Sequence, residues 1–238
     1  AGNQGFAELA AEGAYKSFPA DDDGILPLTD QEWFSDDATN RFREFVRTVW
    51  AGPEGATEQE QSQRLQENLN FVAASLCLHA IKPKSGESAL DTIRRYLSTQ
   101  FYKDHLKTYK KRPIYWLFSS GKHKAFECLV YLHRYNEGTL ARMRTEYVIP
   151  LTAKLSTHAN KLEQDIDAST STAEKKALEK QLATLHNQQA ELATFDEKLR
   201  HHADQRITLD LDDGVKVNYG KFGDLLAEVK AVTGDKAE

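Results

Sequence analysis

Two matched leucine seams constrain this chain more than any other feature. Leu140, Met143, Tyr147, Leu151, Leu155, Leu162 and Ile166 recur at helical spacing. Leu178, Leu182, Leu185, Leu192 and Leu199 do so again at heptad-like spacing, with Gln189 in the stripe and Phe195 beside it. Residues 139–168 and 173–203 number 30 and 31, each about 45 Å long as a helix. The four residues between them suit an antiparallel helical hairpin. Ser171, with Glu174 three positions on, is a capping signature for the second arm. Pro150 removes one i to i−4 bond from the first arm and predicts a kink near its core end. A two-helix arm of this length needs a partner or its own zipper, so part of it is expected to reach out from the core.

Upstream, helical periodicity repeats three times. Phe42, Phe45, Val46 and Val49 form one stripe over residues 38–50, before Gly52-Pro53 stops the helix. Leu65, Leu69, Val72 and Leu76 mark a helix over about residues 58–80. Leu90, Ile93, Leu97 and Phe101 mark a third, with Ser88 as its cap. Residues 1–24 read as the tail of something larger, with a short helix around residues 6–15 and the acidic turn Asp21-Asp22-Asp23-Gly24. Thr29 reads as an N-cap with Glu32 at the third helical position.

Two stretches break the helical pattern. Residues 113–119 and 126–135 are aromatic and β-favouring around the turn Ser120-Gly121-Lys122, which predicts a hairpin, although Phe126, Leu129, Val130 and Leu132 also fit a helix. Residues 207–211 and 215–217 alternate around Asp213-Gly214, which predicts a second hairpin. A last helix around residues 219–232 would dock through Phe222, Leu225, Leu226 and Val229. The expected fold is therefore mainly α: a helical layer, a small β-hairpin, a long antiparallel helical hairpin, and a short C-terminal β-hairpin plus helix. Its divisions fall at residues 1–106, 107–138, 139–203 and 204–238.

Charge is unevenly placed. The formal net charge is −5, yet Lys103, Lys107, Lys110, Lys111, Arg112, Lys122 and Lys124 face only Asp104, a local charge of +6. Residues 1–40 carry nine acids against Lys16 alone, a charge of −8. A field like that of residues 103–124 attracts polyanions with a strongly salt-dependent affinity. The acidic flank reads either as an intramolecular complement to it or as solvated surface. No apolar run approaches the roughly 20 residues that cross a bilayer, and no signal-peptide h-region follows Ala1. Cys77 and Cys128, both in apolar surroundings, read as reduced thiols. These features predict a cytoplasmic chain with no membrane partner.

The sequence carries no strong catalytic motif, and no catalytic, cofactor-binding or metal-binding residue is assigned. Ser120-Gly121-Lys122 lacks the preceding glycines of a phosphate loop. Cys77 and His79 are two ligands where structural zinc takes four. His201-His202 suits a helix C-terminus, and Glu228-Val229-Lys230 lies on an expected helix rather than a nuclease strand. Of the aromatics, Tyr109, Tyr115, Tyr131 and Tyr135 are readable as stacking platforms for bases or as packing; Trp116 and Phe118 read as core. The phosphate-contact candidates are Lys110, Lys111, Arg112, Lys122 and Lys124, with Arg134, Arg142 and Arg144 secondary. Arg134 is equally suited to pairing with an acid.

Several segments carry a family resemblance. Residues 112–121 (RPIYWLFSSG), 128–135 (CLVYLHRY) and 139–144 (TLARMR), together with 23–27 (DGILP) and 210–218 (DLDDGVKVN), closely resemble the C-terminal region of the PglX adenine-specific DNA methyltransferases of BREX phage-defence systems. Related fused restriction–methylation enzymes carry similar segments, and the likeness spans roughly residues 20–230. The resemblance implies a parent enzyme that moves a methyl group from S-adenosylmethionine to adenine N6 in a non-palindromic site. The family's Asn-Pro-Pro-Tyr/Phe signature and glycine-containing cofactor motif are absent here, so a fragment that binds no cofactor itself is expected. The partners implied are double-stranded DNA, other defence-complex subunits and a phage DNA-mimic inhibitor. A protein-interaction scaffold that never touches DNA is the alternative.

Overall fold

The computed structural model describes residues 18, 21–50, 55–110 and 112–234. The expected helix at residues 6–15 and the stop at Gly52-Pro53 lie outside them. The fold is mainly helical around one small antiparallel sheet. Its elements are β1 (Ile25–Pro27), α1 (Ala38–Val49), α2 (Glu58–His79), α3 (Ala89–Thr99), α4 (Phe101–Thr108), β2 (Tyr115–Ser119), β3 (Glu127–Tyr131), α5 (Thr139–Arg142), α6 (Ile149–Ala168), α7 (Thr172–Asp204), α8 (Gly214–Gly220) and α9 (Val229–Thr233).

The strand order is β1-β3-β2, with Tyr115 opposite Tyr131, Phe118 opposite Cys128 and Ile25 opposite Val130. The aromatic hairpin thus forms, and the apolar stretch at residue 25 adds a third strand. Side chains alternate across a pleated sheet, so Ile25, Trp116, Phe118, Cys128 and Val130 share one face, and all are buried. Phe222 stands edge-on to both Trp116 and Phe118, and Tyr219 to Trp116. Each such buried side chain contributes roughly 1.5–3 kcal/mol. Trp116 and Phe118 are therefore core, as their composition predicts. Cys77 and Cys128 are free thiols.

The leucine seams meet as expected. Leu151, Leu155, Ala159 and Leu162 of α6 are buried, as are Leu185, Leu192, Phe195 and Leu199 of α7. Ser171 caps α7 by accepting the Glu174 N–H at 3.4 Å. No residue from 163 to 184 is buried; Leu178 and Leu182 pack against the core from its edge, and most of the remaining side chains of this tip are exposed. Around Pro150 the ladder changes from α to π over Met143–Val148. Proline has no N–H to donate and its ring crowds the carbonyl four residues back; the wider π turn accommodates both.

A second, smaller core holds the upstream layer, where Val46 of α1, Leu69 and Ala73 of α2 and Ile93 of α3 pack together. Ser88 caps α3 through the Asp91 N–H at 3.1 Å. Thr29 is not a helix cap: its hydroxyl donates to the Gln31 carbonyl, and Asp37 caps α1 through the Asn40 N–H at 2.9 Å.

The C-terminal hairpin does not form. Residues 211–213 make a 3-10 turn and residues 214–220 are helical. The Asn218 amide ties the Asp210 and Gly214 carbonyls together, and helix α8 delivers Tyr219 to a 2.8 Å hydrogen bond with the Tyr102 hydroxyl. Alternation at Val215 and Val217 is overridden, and Val217 is left exposed. The expected docking helix is likewise broken into a 3-10 turn at Gly223–Leu225 and the short α9. Leu226 instead bridges Phe118 at the edge of β2, and the Ala227 N–H donates to the Leu117 carbonyl at 2.8 Å. Phe222, Leu225 and Leu226 are buried all the same.

Candidate nucleic-acid interface

Strand β2 divides the basic run into two groups. A five-residue strand is about 17 Å long, with Lys110 and Arg112 before it and Lys122 and Lys124 after it. Lys111 lies outside the described residues.

The first group sits on the turn from α4 into β2. His105 organises this turn: it is buried, it packs 4.6 Å from Tyr109 and 5.6 Å from Tyr115, and its Nε2 accepts the Tyr115 N–H at 3.2 Å. Burial lowers its pKa, which favours the neutral ring this bond requires. Lys110 then takes a left-handed backbone (φ +49°), and the Arg112 N–H closes the turn on the Tyr109 carbonyl at 2.9 Å. Lys110 and Arg112 are exposed, and among the described residues neither is in an ion pair.

The second group sits on the β2–β3 loop, which is held by a carboxylate from the long arm. Glu191 of α7 accepts from the Ser120 hydroxyl at 2.6 Å, the His123 N–H at 2.7 Å and the Ala125 N–H at 3.2 Å. Burial raises the Glu191 pKa, but these donors outweigh it and leave the carboxyl below its ordinary value. Gly121 is required here: φ is +137°, and a β-carbon would stand 2.9 Å from a Glu191 oxygen. Ser120 therefore serves a loop clamp rather than a phosphate loop. Lys122 is exposed with no ion pair among the described residues. Lys124 reaches the Ser98 carbonyl at 3.0 Å and pairs with Glu127 at 3.2 Å. Burial raises the Glu127 pKa, against the pull of Lys124.

The three secondary arginines are engaged inside the molecule. Arg144 pairs side-on with Asp196 of α7 at 2.7 and 3.0 Å. Arg142 pairs with Glu146 at 2.8 Å and with Asp22 at 3.4 Å. Arg134 donates to the Asp21 carbonyl. Among the described residues the acidic turn thus engages Arg134 and Arg142 rather than the basic run 103–124: Asp21 also pairs with Arg41 at 3.3 Å, and Asp23 lies 2.6 Å from the Tyr147 hydroxyl. No group of three or more metal-ligating side chains occurs among the described residues. No described helix is long and apolar enough to cross a membrane.

Beside the first group lies a concavity of about 360 Å³ that the sequence does not reveal. Tyr115, Leu117, Leu26, Leu129 and Tyr131 share the second face of the sheet. Leu117 and Leu129 on that face are buried, whereas Leu26, Tyr115 and Tyr131 are only partly buried and, with Ile114, floor the concavity. The Tyr115 and Tyr131 rings lie 5.2 Å apart, tilted by 37°. Phe18 forms another wall, with the Arg41 guanidinium 4.3 Å above its ring. Asp21 and Arg134 complete the rim. Burial raises the Asp21 pKa and Arg41 opposes it. Gly24 (φ +69°) lets the turn lie against Arg134, whose Cβ would stand 2.8 Å from an added β-carbon. Arg41 is absent from the phosphate-contact candidates because tertiary contact, not local pattern, brings it to this rim.

No family model matches the chain. It is 65% identical over 237 residues, its whole length, to the adenine-specific methyltransferase BrxX of Escherichia coli O9:H4 (strain HS), of which it covers 19%. It is 40% identical over 210 residues, or 87% of its length, to the adenine-specific methyltransferase PglX of Lacticaseibacillus casei (strain Zhang), of which it covers 16%. The chain therefore spans less than a fifth of the curated relatives it matches, and is a homologue of a segment of those larger proteins.

Proposed function

We propose that this chain is the DNA-engaging and assembly region, C-terminal in its parent, of a site-specific adenine-N6 DNA methyltransferase that serves in cytoplasmic phage defence. The observation that carries this reading is the likeness of this whole chain to a segment of an adenine-specific methyltransferase, together with basic side chains left facing solvent. The parent's methyl donor is S-adenosylmethionine, bound elsewhere in the polypeptide. Lys110, Lys111, Arg112 and Lys122 contact phosphates, which position DNA without reading its sequence. Lys124, Arg134, Arg142 and Arg144 support that surface through their internal partners and add to its field. The same surface suits an acidic DNA-mimic inhibitor.

The hairpin tip favours an assembly role beside the DNA role, because most of its side chains from residue 163 to 184 are exposed. Other defence subunits are its proposed partners.

The test uses the full-length methyltransferase. Lys110→Glu combined with Arg112→Glu weakens duplex binding at least ten-fold and lowers the slope of log affinity against log salt by about 2. Unchanged affinity and slope in a folded double variant overturn the DNA reading. Replacing residues 163–184 with a short turn leaves DNA binding intact and abolishes recovery of the other subunits. Retained recovery overturns the assembly role.

A further inference from the structure

We propose that the concavity between Tyr115, Tyr131 and the Asp21–Gly24 turn is a nucleobase site, taking one unstacked base of a DNA strand whose phosphates lie on Lys110 and Arg112. The inference rests on the DNA-engaging reading and deepens it.

Size comes first. A volume of about 360 Å³ lies at the small end of ligand pockets, which run from about 300 to 1,000 Å³. It accommodates a single planar ring system with its sugar, and is too small for a helix or an extended peptide.

Chemistry narrows the class. Two tyrosines side by side on the partly uncovered sheet face, 5.2 Å between centroids and tilted by 37°, form an aromatic platform with apolar edges at Leu26 and Ile114. Sheet-face aromatics are the arrangement by which single-stranded nucleic acids are stacked and held. Around this platform stand Arg41, Arg134 and Asp21. A guanidinium has five N–H donors in a fixed fork and a carboxyl supplies acceptors, so the rim can hydrogen-bond the edge of a base alongside its protein partners. Arg41 is shared between Asp21 and Glu44, and Asp23 and Asp36 also lie close to Asp21, so the positive field that draws a strand comes from the exposed Lys110 and Arg112 beside the rim rather than from the rim itself.

Position supplies the link to the strand. Arg112 is two residues from Ile114 in the pocket floor, a backbone reach of at most about 7 Å. A phosphate on Arg112 thus leaves its own base beside the platform. Lys122 and Lys124 lie beyond the far end of β2, and the concavity of about 210 Å³ that Lys124 lines carries Tyr102 but no tyrosine pair.

The experiment measures the full-length protein against a single strand of deoxythymidine and an abasic strand of equal length, which share their phosphates. The intact strand binds at least five-fold tighter. Tyr115→Ala with Tyr131→Ala removes that ratio, and the Phe versions keep it because the rings remain. A 5-iododeoxyuridine strand irradiated with the unmodified protein crosslinks to Tyr115 or Tyr131, a readout that needs no variant to fold. Crosslinks confined to other residues, or equal binding of both strands, overturn the base site. If Lys110→Glu with Arg112→Glu still weakens binding in that case, the DNA-engaging reading stands alone; if neither strand binds, both fail. Displacement of the strand by free deoxyadenosine monophosphate would assign the pocket to free nucleotides and overturn its assignment to a strand. Absence of displacement upholds it.

Discussion

The two ends of β2 carry similar basic residues on opposite kinds of support. At the α4 end, Lys110 and Arg112 rest on a turn organised by a neutral buried imidazole, and an aromatic concavity opens beside them. At the loop end, Lys122 and Lys124 ride on a turn clamped by the Glu191 carboxylate of a helix 66 to 71 positions away in sequence. The turn at one end is built from its own neighbourhood, and the turn at the other is held by the arm. Basic residues that look alike in the sequence thus become two surfaces with different chemistry: an edge beside a tyrosine-floored concavity and a fringe clamped by the arm.

The largest effect is expected from removing the clamp. Glu191→Ala leaves one hydroxyl and two backbone donors without their charged acceptor, which costs about 2–3 kcal/mol; urea denaturation measures it. Glu191→Gln, which keeps an acceptor oxygen, recovers part of the loss. If Glu191→Ala is as stable as the parent, the loop end is not held by the arm and the contrast collapses.

Charge reversal sharpens the comparison next. Lys122→Glu is expected to lower duplex affinity several-fold and to reduce intact and abasic single strands equally. Reversal at Lys110 and Arg112 costs more against the intact strand, since a base is lost with the phosphate. Equal losses on both strands at both ends would erase the functional difference between them.

Acidification separates the two ends more gently. The His105 pKa is depressed by burial, so the folded chain binds fewer protons than the unfolded chain near pH 6. Its contribution is present above the unfolded value of about 6.5 and is lost as pH falls toward the folded pKa. Glu191, also depressed, loses its contribution only as pH falls through the carboxylate range. Thermal midpoints are therefore expected to fall between pH 7.5 and 5.5 by a smaller margin in His105→Gln than in the parent, while the Glu191→Gln difference persists until below about pH 4.5. A pH profile unchanged by His105→Gln refutes the role given to that ring.

Much of this was legible in the residues themselves. The arm was readable because its leucines repeat over some thirty residues on each side, and a long periodic signal survives any tertiary context. The aromatic hairpin was readable for a similar reason, although its third strand, three residues long, carries too little pattern to announce itself. The C-terminal hairpin was misread because Asp213-Gly214 is a good turn in isolation. The Asn218 amide and the pull of Tyr219 toward Tyr102 stabilise a helix there instead.

The site divides the same way. Sequence alone determined which segment is basic, which aromatics belong in the core and which flank is acidic. Only tertiary structure decided that β2 would split the basic run, that Arg134, Arg142 and Arg144 would be held by acids and carbonyls, and that Arg41 and Asp21 would meet Tyr115 and Tyr131 at one rim. The physical reason is range. Periodicity and composition are properties of neighbours along the chain, whereas ion pairing and pocket walls depend on which distant elements the burial of the sheet brings together.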